Sequence, residues 1–260
     1  MAFAPDVRLD MPGMLYPGRK PAGRSKLDRT NPLADNLLFF GVVEPNGVLH
    51  ELVQEYVVSS VNPTFTEASV DGNGHCCRSL DVASGEGVEM AIRPITLNPS
   101  YSMLIVYKQL STLSQEQPAV TFAGDVNYQG TLRFYWDWGS QVPVFEIAQD
   151  SGYRSVVYSY WDYTSPNIPV NTHMSTVYTI LSDEDVFGYS NGNLLLEVPD
   201  PTPIIPPQTF TLLNIGGDVY SGNYSDANVY AVAVFKKPLT EEASRELSKN
   251  PYQLLVPNRG

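Results

Sequence analysis

Charge is scarce in this chain, and cysteine and histidine are scarcer. Charged residues make up 17% of 260 positions, 16 Lys and Arg against 28 Asp and Glu, for a formal net charge of −12. That shortage of cations excludes general nucleic-acid binding, which needs a basic face against phosphates. The two cysteines, Cys76 and Cys77, are adjacent. An ordinary disulfide between neighbours is strained, so the chain reads as one made and folded in a reducing cytoplasm. No stretch approaches the roughly 18 consecutive apolar residues of a membrane span. Residues 1–8 lack the charged-then-apolar layout of a signal peptide.

Catalytic signatures are missing as well. Gly188-Tyr189-Ser190-Asn191-Gly192 has the form Gly-x-Ser-x-Gly but runs through an Asn-Gly turn into the strand pattern at 193–198, not into the helix that a nucleophile elbow needs, and His50, His75 and His173 have no flanking signature of a general base. His75, Cys76 and Cys77 are consecutive, whereas zinc ligands are separated by two or more residues to wrap the ion. Half-buried thiols are the simpler reading. No Gly-rich phosphate cradle or dinucleotide fingerprint is present.

What the chain does have is tyrosine (16), proline (21) and a hydrophobic fraction of 43%, enough for a substantial core. Strand composition recurs at 37–43, 53–60, 89–92, 101–107, 119–123, 131–138, 142–149, 155–160, 175–181, 193–198, 209–215 and 228–235. Turn chemistry punctuates the series: Asn46-Gly47, Asp71-Gly72-Asn73-Gly74, Gly85-Glu86-Gly87, Asn191-Gly192, Gly216-Gly217 and Ser221-Gly222. Short strands so spaced, with no helices between them, predict an all-β antiparallel sandwich of two packed sheets. Residues 200–207, dense in proline, read as an extended connection along the sandwich edge or as a docking segment.

The last strand pattern, 228–235, is β-branched and aromatic with no charge, as expected when both faces are covered. Pro238 stops it. Thr240 is a good N-cap, Glu241 and Glu242 suit the positive end of a helix, Lys249 its last turn, and Pro251 forbids continuation. One short helix therefore closes the chain. The predicted organisation is an arm over 1–35, a sandwich over 36–238, and a C-terminal helix and tail over 239–260.

The arm carries prolines at 5, 12, 17, 21 and 32, with Gly13, Gly18 and Gly23 between them, and no helical or alternating pattern runs through that punctuation. Residues 1–30 hold six Lys and Arg against three Asp, a net of +3, which leaves −15 on the rest. Val7, Leu9, Met11, Met14, Leu15 and Tyr16 are apolar anchors that a plain linker does not need; Arg8, Arg19, Lys20, Arg24 and Lys26 are cations among them. A disordered terminus is one reading. The other is an arm that orders on a partner or on the acidic surface of a neighbouring copy.

Three patches carry a family resemblance. Lys237-Pro-Leu-Thr-Glu-Glu-Ala-Ser-Arg-Glu-Leu-Ser-Lys-Asn-Pro-Tyr-Gln-Leu-Leu255, Leu27-Asp-Arg-Thr-Asn-Pro-Leu-Ala34, and Asn171-Thr-His173 with Tyr189-Ser-Asn-Gly-Asn-Leu194 are similar to segments of concanavalin A-like (laminin-G-type) jelly-roll domains of bacteriophage structural proteins. The resemblance spans roughly residues 27–255. It implies a concanavalin A-like jelly roll and a non-enzymatic, capsid-associated virion protein: a decoration or cement protein, or the base of a head fibre. Its partners would be the major capsid protein or other virion proteins, and a homo-oligomer, a trimer at first guess, fits cyclic assembly. Glycosidases of this fold resemble one another in a strand of alternating carboxylates, because hydrolysis needs a nucleophile and an acid/base about 5 Å apart. No such strand occurs here. The acidic run Ser182-Asp-Glu-Asp185 reads as a solvated hairpin loop.

Two further sites stay open at this level. Tyr135, Trp136, Trp138, Trp161 and Tyr163, with Asp137 and Asp162, have the rings and hydrogen-bonding groups to contact a host glycan, the alternative being core packing or a protein contact. Strand alternation sends Trp136 and Trp138 to one face and Tyr135 and Asp137 to the other. No cofactor is expected apart from calcium, which the resemblance implies at a sandwich rim. Asp71 to Gly74, Asp218, Asn223 and Asp226 offer hard oxygen ligands or serve as turns.

Overall fold

A computed structural model describes residues 24–44, 48–60, 66–71, 74–79, 88–110, 117–124, 131–137, 142–148, 155–158, 172–181, 186–198, 208–217 and 225–258. Its strands begin with β1 (Ser25–Leu27), β2 (Leu37–Val43), β3 (Leu49–Glu51), β4 (Tyr56–Val57), β5 (Ser59–Ser60) and β6 (Thr66–Asp71). They continue with β7 (Gly74–Ser79), β8 (Val88–Leu97), β9 (Tyr101–Gln109), β10 (Gln117–Ala123), β11 (Thr131–Asp137), β12 (Val142–Ala148) and β13 (Ser155–Tyr158). The series ends with β14 (His173–Ile180), β15 (Val186–Ser190), β16 (Asn193–Val198), β17 (Gln208–Ile215), β18 (Ala227–Phe235) and β19 (Leu255–Pro257). One helix, α1 (Glu241–Lys249), lies between β18 and β19.

These strands form an all-β antiparallel sandwich. The larger sheet runs β16-β15-β14-β9-β18-β2-β3-β4, with β6 and β7 joined to it beside β18. The smaller runs β13-β12-β11-β10-β17-β8-β5. Side chains from both inner faces meet in the main core, where Phe39, Phe122, Phe134, Tyr107, Tyr178 and Phe210 interlock. Phe39 and Phe122 pack edge to face at 5.8 Å, the offset geometry that ring quadrupoles prefer.

β18 is buried along its whole length, as its uncharged sequence predicts. One face, Val229, Val232 and Val234, enters the main core. The other, Tyr230, Ala231, Ala233 and Phe235, enters a second core on the far side of the larger sheet. That second core is roofed by α1 and the C-terminal tail through Leu247, Tyr252, Leu254 and Leu255.

The helix begins where the sequence says. Thr240 has extended backbone and its hydroxyl accepts from the Ala243 amide at 3.2 Å; Glu241 and Glu242 occupy the first turn and Lys249 the last. The pattern over 53–60 is corrected: residues 52–55 form a turn, and strand structure begins again at Tyr56. The reason is the buried Glu51 carboxylate. It accepts from the amides of Phe40 at 3.0 Å, Val53 at 2.9 Å and Gln54 at 2.7 Å, so those amides are turned inward and not toward a neighbouring strand. Glu55 then takes a positive φ of 56°. Segments 200–207 and 182–185 lie outside the described residues, although β14 and β15 flanking the latter do pair antiparallel, Ile180 opposite Val186.

Candidate functional site

The two terminal sequence patches, more than 200 positions apart, come together in one clasp over the second core. β1 pairs antiparallel with β19, Ser25 opposite Pro257 and Leu27 opposite Leu255. The Asp28 amide donates to Leu254 O at 2.7 Å and the Asn258 amide to Arg24 O at 2.9 Å. Each polar residue of the first patch has a fastening role. Asp28 Oδ1 accepts from the Thr30 amide at 3.0 Å and hydroxyl at 2.6 Å, while Asn31 Nδ2 donates to Gln253 O at 3.4 Å. The Arg29 guanidinium donates to Val53 O at 2.9 Å. Asn36 ties the patch to the end of β18: its Nδ2 donates to Lys237 O and its carbonyl accepts from the Lys236 amide.

Leu27 and Ala34 are buried in the second core with Leu254 and Leu255. The segment from Arg24 to Asn36 is therefore fastened to the sandwich. Arg24 and Lys26, two of the cations read as arm contacts, are exposed on this clasp. Val7, Arg8, Leu9, Met11, Met14, Leu15, Tyr16, Arg19 and Lys20 lie outside the described residues. Beside the clasp, Glu44 is buried and its Oε1 accepts from the Ser25 amide at 3.2 Å.

The third patch also resolves into geometry. Asn191 and Gly192 make the turn between β15 and β16, with positive φ of 48° and 85°. The Asn191 side chain reaches back to β14: its Oδ1 accepts from the Ser175 amide at 2.9 Å and its Nδ2 donates to His173 O at 3.3 Å. Gly192 N–H donates to Ser248 Oγ on α1 at 2.9 Å. His173 packs edge to face on Tyr230 at 5.0 Å. The His-to-Asn-Gly spacing is thus a three-strand fastening under the helix.

Of the aromatic candidates, Trp138, Trp161 and Tyr163 lie outside the described residues, as do the side chains of Tyr135 and Trp136. On β11, Leu132 and Phe134 are buried in the main core, with the half-buried Arg133 between them. Of the calcium candidates, Asp218 and Asn223 lie outside the described residues; Asp226 is half-buried before β18 and its carbonyl accepts from the Leu110 amide at 2.8 Å. Among the described residues, no three His, Cys, Asp or Glu side chains cluster as metal ligands, and no helix is long and apolar enough to cross a membrane.

Several groups that shape this region leave no mark in a sequence pattern. Ser102 on β9, Thr179 on β14 and Ser244 on α1 form a buried hydroxyl chain, 2.7 Å and 3.1 Å long at its two links. Ser102 Oγ also accepts from the Leu239 amide at 2.8 Å, which locks the helix approach. Tyr189 donates to Glu241 Oε2 at 3.3 Å, and the Arg245 guanidinium sits 5.7 Å from its ring centre. Burial is the main cause that raises the Tyr189 phenol, with Glu241 adding to it.

No protein-family model matches the chain, and no curated protein does. Solved structures do resemble it. The sialidase of Trypanosoma rangeli superimposes with a TM-score of 0.56 at 12% identity, over 83% of this chain and 33% of the sialidase chain. The botulinum neurotoxin serotype G binding domain gives a TM-score of 0.61 at 10% identity, over 82% of this chain and 50% of that one. At such identity the likeness is one of fold. The chain spans about a third of the sialidase and half of the toxin domain.

Proposed function

We propose that this chain is a non-enzymatic structural protein of a bacteriophage virion, capsid-associated as a decoration, cement or head-fibre-base protein, and attached by its N-terminal segment. The observation that carries the reading is the clasp. The two patches that resemble phage structural domains interlock through β1 and β19, and Arg24, where the described chain begins, is fastened to the sandwich there. The segment before it mixes apolar and basic residues ahead of an acidic body, a composition suited to ordering on a partner of opposite charge. The partner is the major capsid protein or another virion protein, and the assembly is a cyclic homo-oligomer, a trimer as the first expectation. No residue of the chain is assigned a catalytic role. Calcium at Asp218 and Asp226 is a secondary proposal, tested by a calcium-dependent rise in thermal midpoint that EDTA reverses.

The test is attachment. Full-length protein and a chain lacking residues 1–23 are each mixed with purified particles that lack the protein. The reading expects the full chain to co-sediment and the truncation, folded, to stay in the supernatant. Equal binding by the truncation overturns it.

A second reading, a carbohydrate-binding module of a tail or fibre that contacts host glycans, draws support from fold likeness to a sialidase solved in complex with sialic acid. Binding of both chains to host polysaccharide, with no binding to particles, would favour it.

A further inference from the structure

Asn-Gly occurs three times in the chain, at 46–47, 73–74 and 191–192. The pair suits a hairpin turn with positive φ at both central positions. It is also the pair most open to loss of the side-chain amide, because glycine leaves the following backbone nitrogen unshielded. That nitrogen, once it gives its proton to solvent, attacks Cγ of the asparagine. The new N–Cγ bond closes a cyclic imide, the Cγ–Nδ2 bond breaks, and Nδ2 leaves as ammonia. Water then opens the imide to aspartate or isoaspartate. The sum is asparagine and water to an acid and ammonia, with no other reactant.

At 191–192 both reacting groups are engaged. Asn191 is exposed, so water and base reach it. Its side chain, however, is held on β14: Oδ1 accepts from the Ser175 amide at 2.9 Å, and Nδ2 donates to His173 O at 3.3 Å and lies 3.5 Å from Met174 Sδ. The attacking nitrogen is held on α1. Gly192 N–H donates to Ser248 Oγ at 2.9 Å, and that hydroxyl is oriented by its own donation to Arg245 O at 2.8 Å. The stem of Lys249 lies against the glycine, so close that a Cβ there would fall 2.4 Å from Lys249 Cγ. The attack therefore needs Gly192 N–H freed from the helix and Asn191 swung off β14.

We propose that Asn191 is a self-deamidation site gated by α1, closed while the helix is seated and open when it lifts. Lifting is a local opening of the kind that elements at a domain surface undergo without global unfolding. The modification runs one way, because its product cannot restore the contacts. An acid at 191 has no Nδ2 to donate to His173 O, and isoaspartate adds an atom to the backbone of a turn whose two φ angles, 48° and 85°, are set for Asn-Gly. Each conversion leaves the fastening of β14, β15 and α1 loosened.

Ageing of the full-length protein at mildly alkaline pH, with conversion read at each Asn-Gly by peptide mass spectrometry, tests it. Asn191 is expected to convert at least tenfold more slowly in the folded chain than in the same chain held in guanidinium chloride. Ser248→Ala removes the acceptor of the Gly192 amide and is expected to speed Asn191 at least fivefold. Asn46 and Asn73, outside the described residues, are the internal references and are expected to keep their parent rates. Lys249→Ala is the second variant; its position is exposed, so it uncovers Gly192 without touching the core, and it is expected to speed Asn191 by less. Equal rates at Asn191 in the folded and unfolded chains would overturn the proposal. So would variants that leave Asn191 at the parent rate, or that raise all three sites together, since the guard would then be the fold at large and not α1.

Discussion

Glu51 is the residue on which the first third of the fold turns. Its carboxylate holds three backbone amides, one on β2 and two within the 52–55 turn, while only 1% exposed. Removing it leaves three buried donors to find other partners, so Glu51→Ala is expected to cost about 2–4 kcal/mol, the range for losing charge-assisted bonds and stranding their donors. A urea titration checks this; a midpoint within error of the parent would show that water replaces the carboxylate. Buried phenols set a second residue-scale expectation. Tyr107 and Tyr178 are fully buried, and burial raises both well above the usual phenol range. A phenol raised in the folded state contributes stability that is fully present below its unfolded pKa. That contribution falls as pH rises past about 10, where the unfolded chain loses phenolic protons and the folded chain keeps them. Stability should therefore decline from about pH 10 upward, with absorbance near 295 nm from these rings appearing together with unfolding. Ionisation of all tyrosines without loss of far-ultraviolet circular dichroism would contradict it.

At the scale of elements, the helix is held to the sandwich by polar bonds as much as by Leu247. Ser102, the second residue of β9, accepts from the Leu239 amide and is hydrogen-bonded to Thr179, which in turn meets Ser244 on α1. Ser102→Ala strands the Leu239 amide in a buried place and breaks the chain, with an expected cost of about 1–3 kcal/mol. Ser244→Ala leaves Thr179 paired with Ser102 and should cost less. The two costs, measured by denaturant unfolding, should combine non-additively because the groups share one network; strict additivity would show that they act independently. This chain was invisible in the sequence, since serine and threonine in strands carry no periodic signal and their partners come from remote elements. The strands themselves were legible because alternation and turn residues are local. β2 and β16 match their sequence patterns residue for residue. The 53–60 segment was misread because its strand composition was overridden by a tertiary contact, the Glu51 carboxylate. α1 was read correctly from one cap, two acidic residues and a proline, all within its own sequence.

At the scale of the molecule, the question is where the body ends and the arm begins. The sequence placed that boundary at residue 35, because proline and glycine obscure the short pattern Ser25–Leu27, and a three-residue strand has no periodicity to detect. Its partner, β19, is a similarly short tail segment at the opposite end of the chain. Only the fold shows that Leu27 and Ala34 fill the second core beneath Tyr252 and Leu254. The consequence is a separation of two truncations. A chain starting at Arg24 retains the whole clasp and should unfold at the same temperature as the intact protein. A chain starting at Leu37 loses β1, the Asp28 and Asn31 bonds and the buried Leu27. Leu27 alone is worth about 1.5–3 kcal/mol, so this chain should unfold several degrees lower or fail to fold. Differential scanning calorimetry on the two, with the full chain beside them, decides the matter. Equal midpoints for all three would mean that the clasp contributes nothing to the body. A loss confined to the shorter chain makes the cut before Arg24 the proper one for the attachment experiment, because only that cut removes the candidate arm without loosening the surface it springs from.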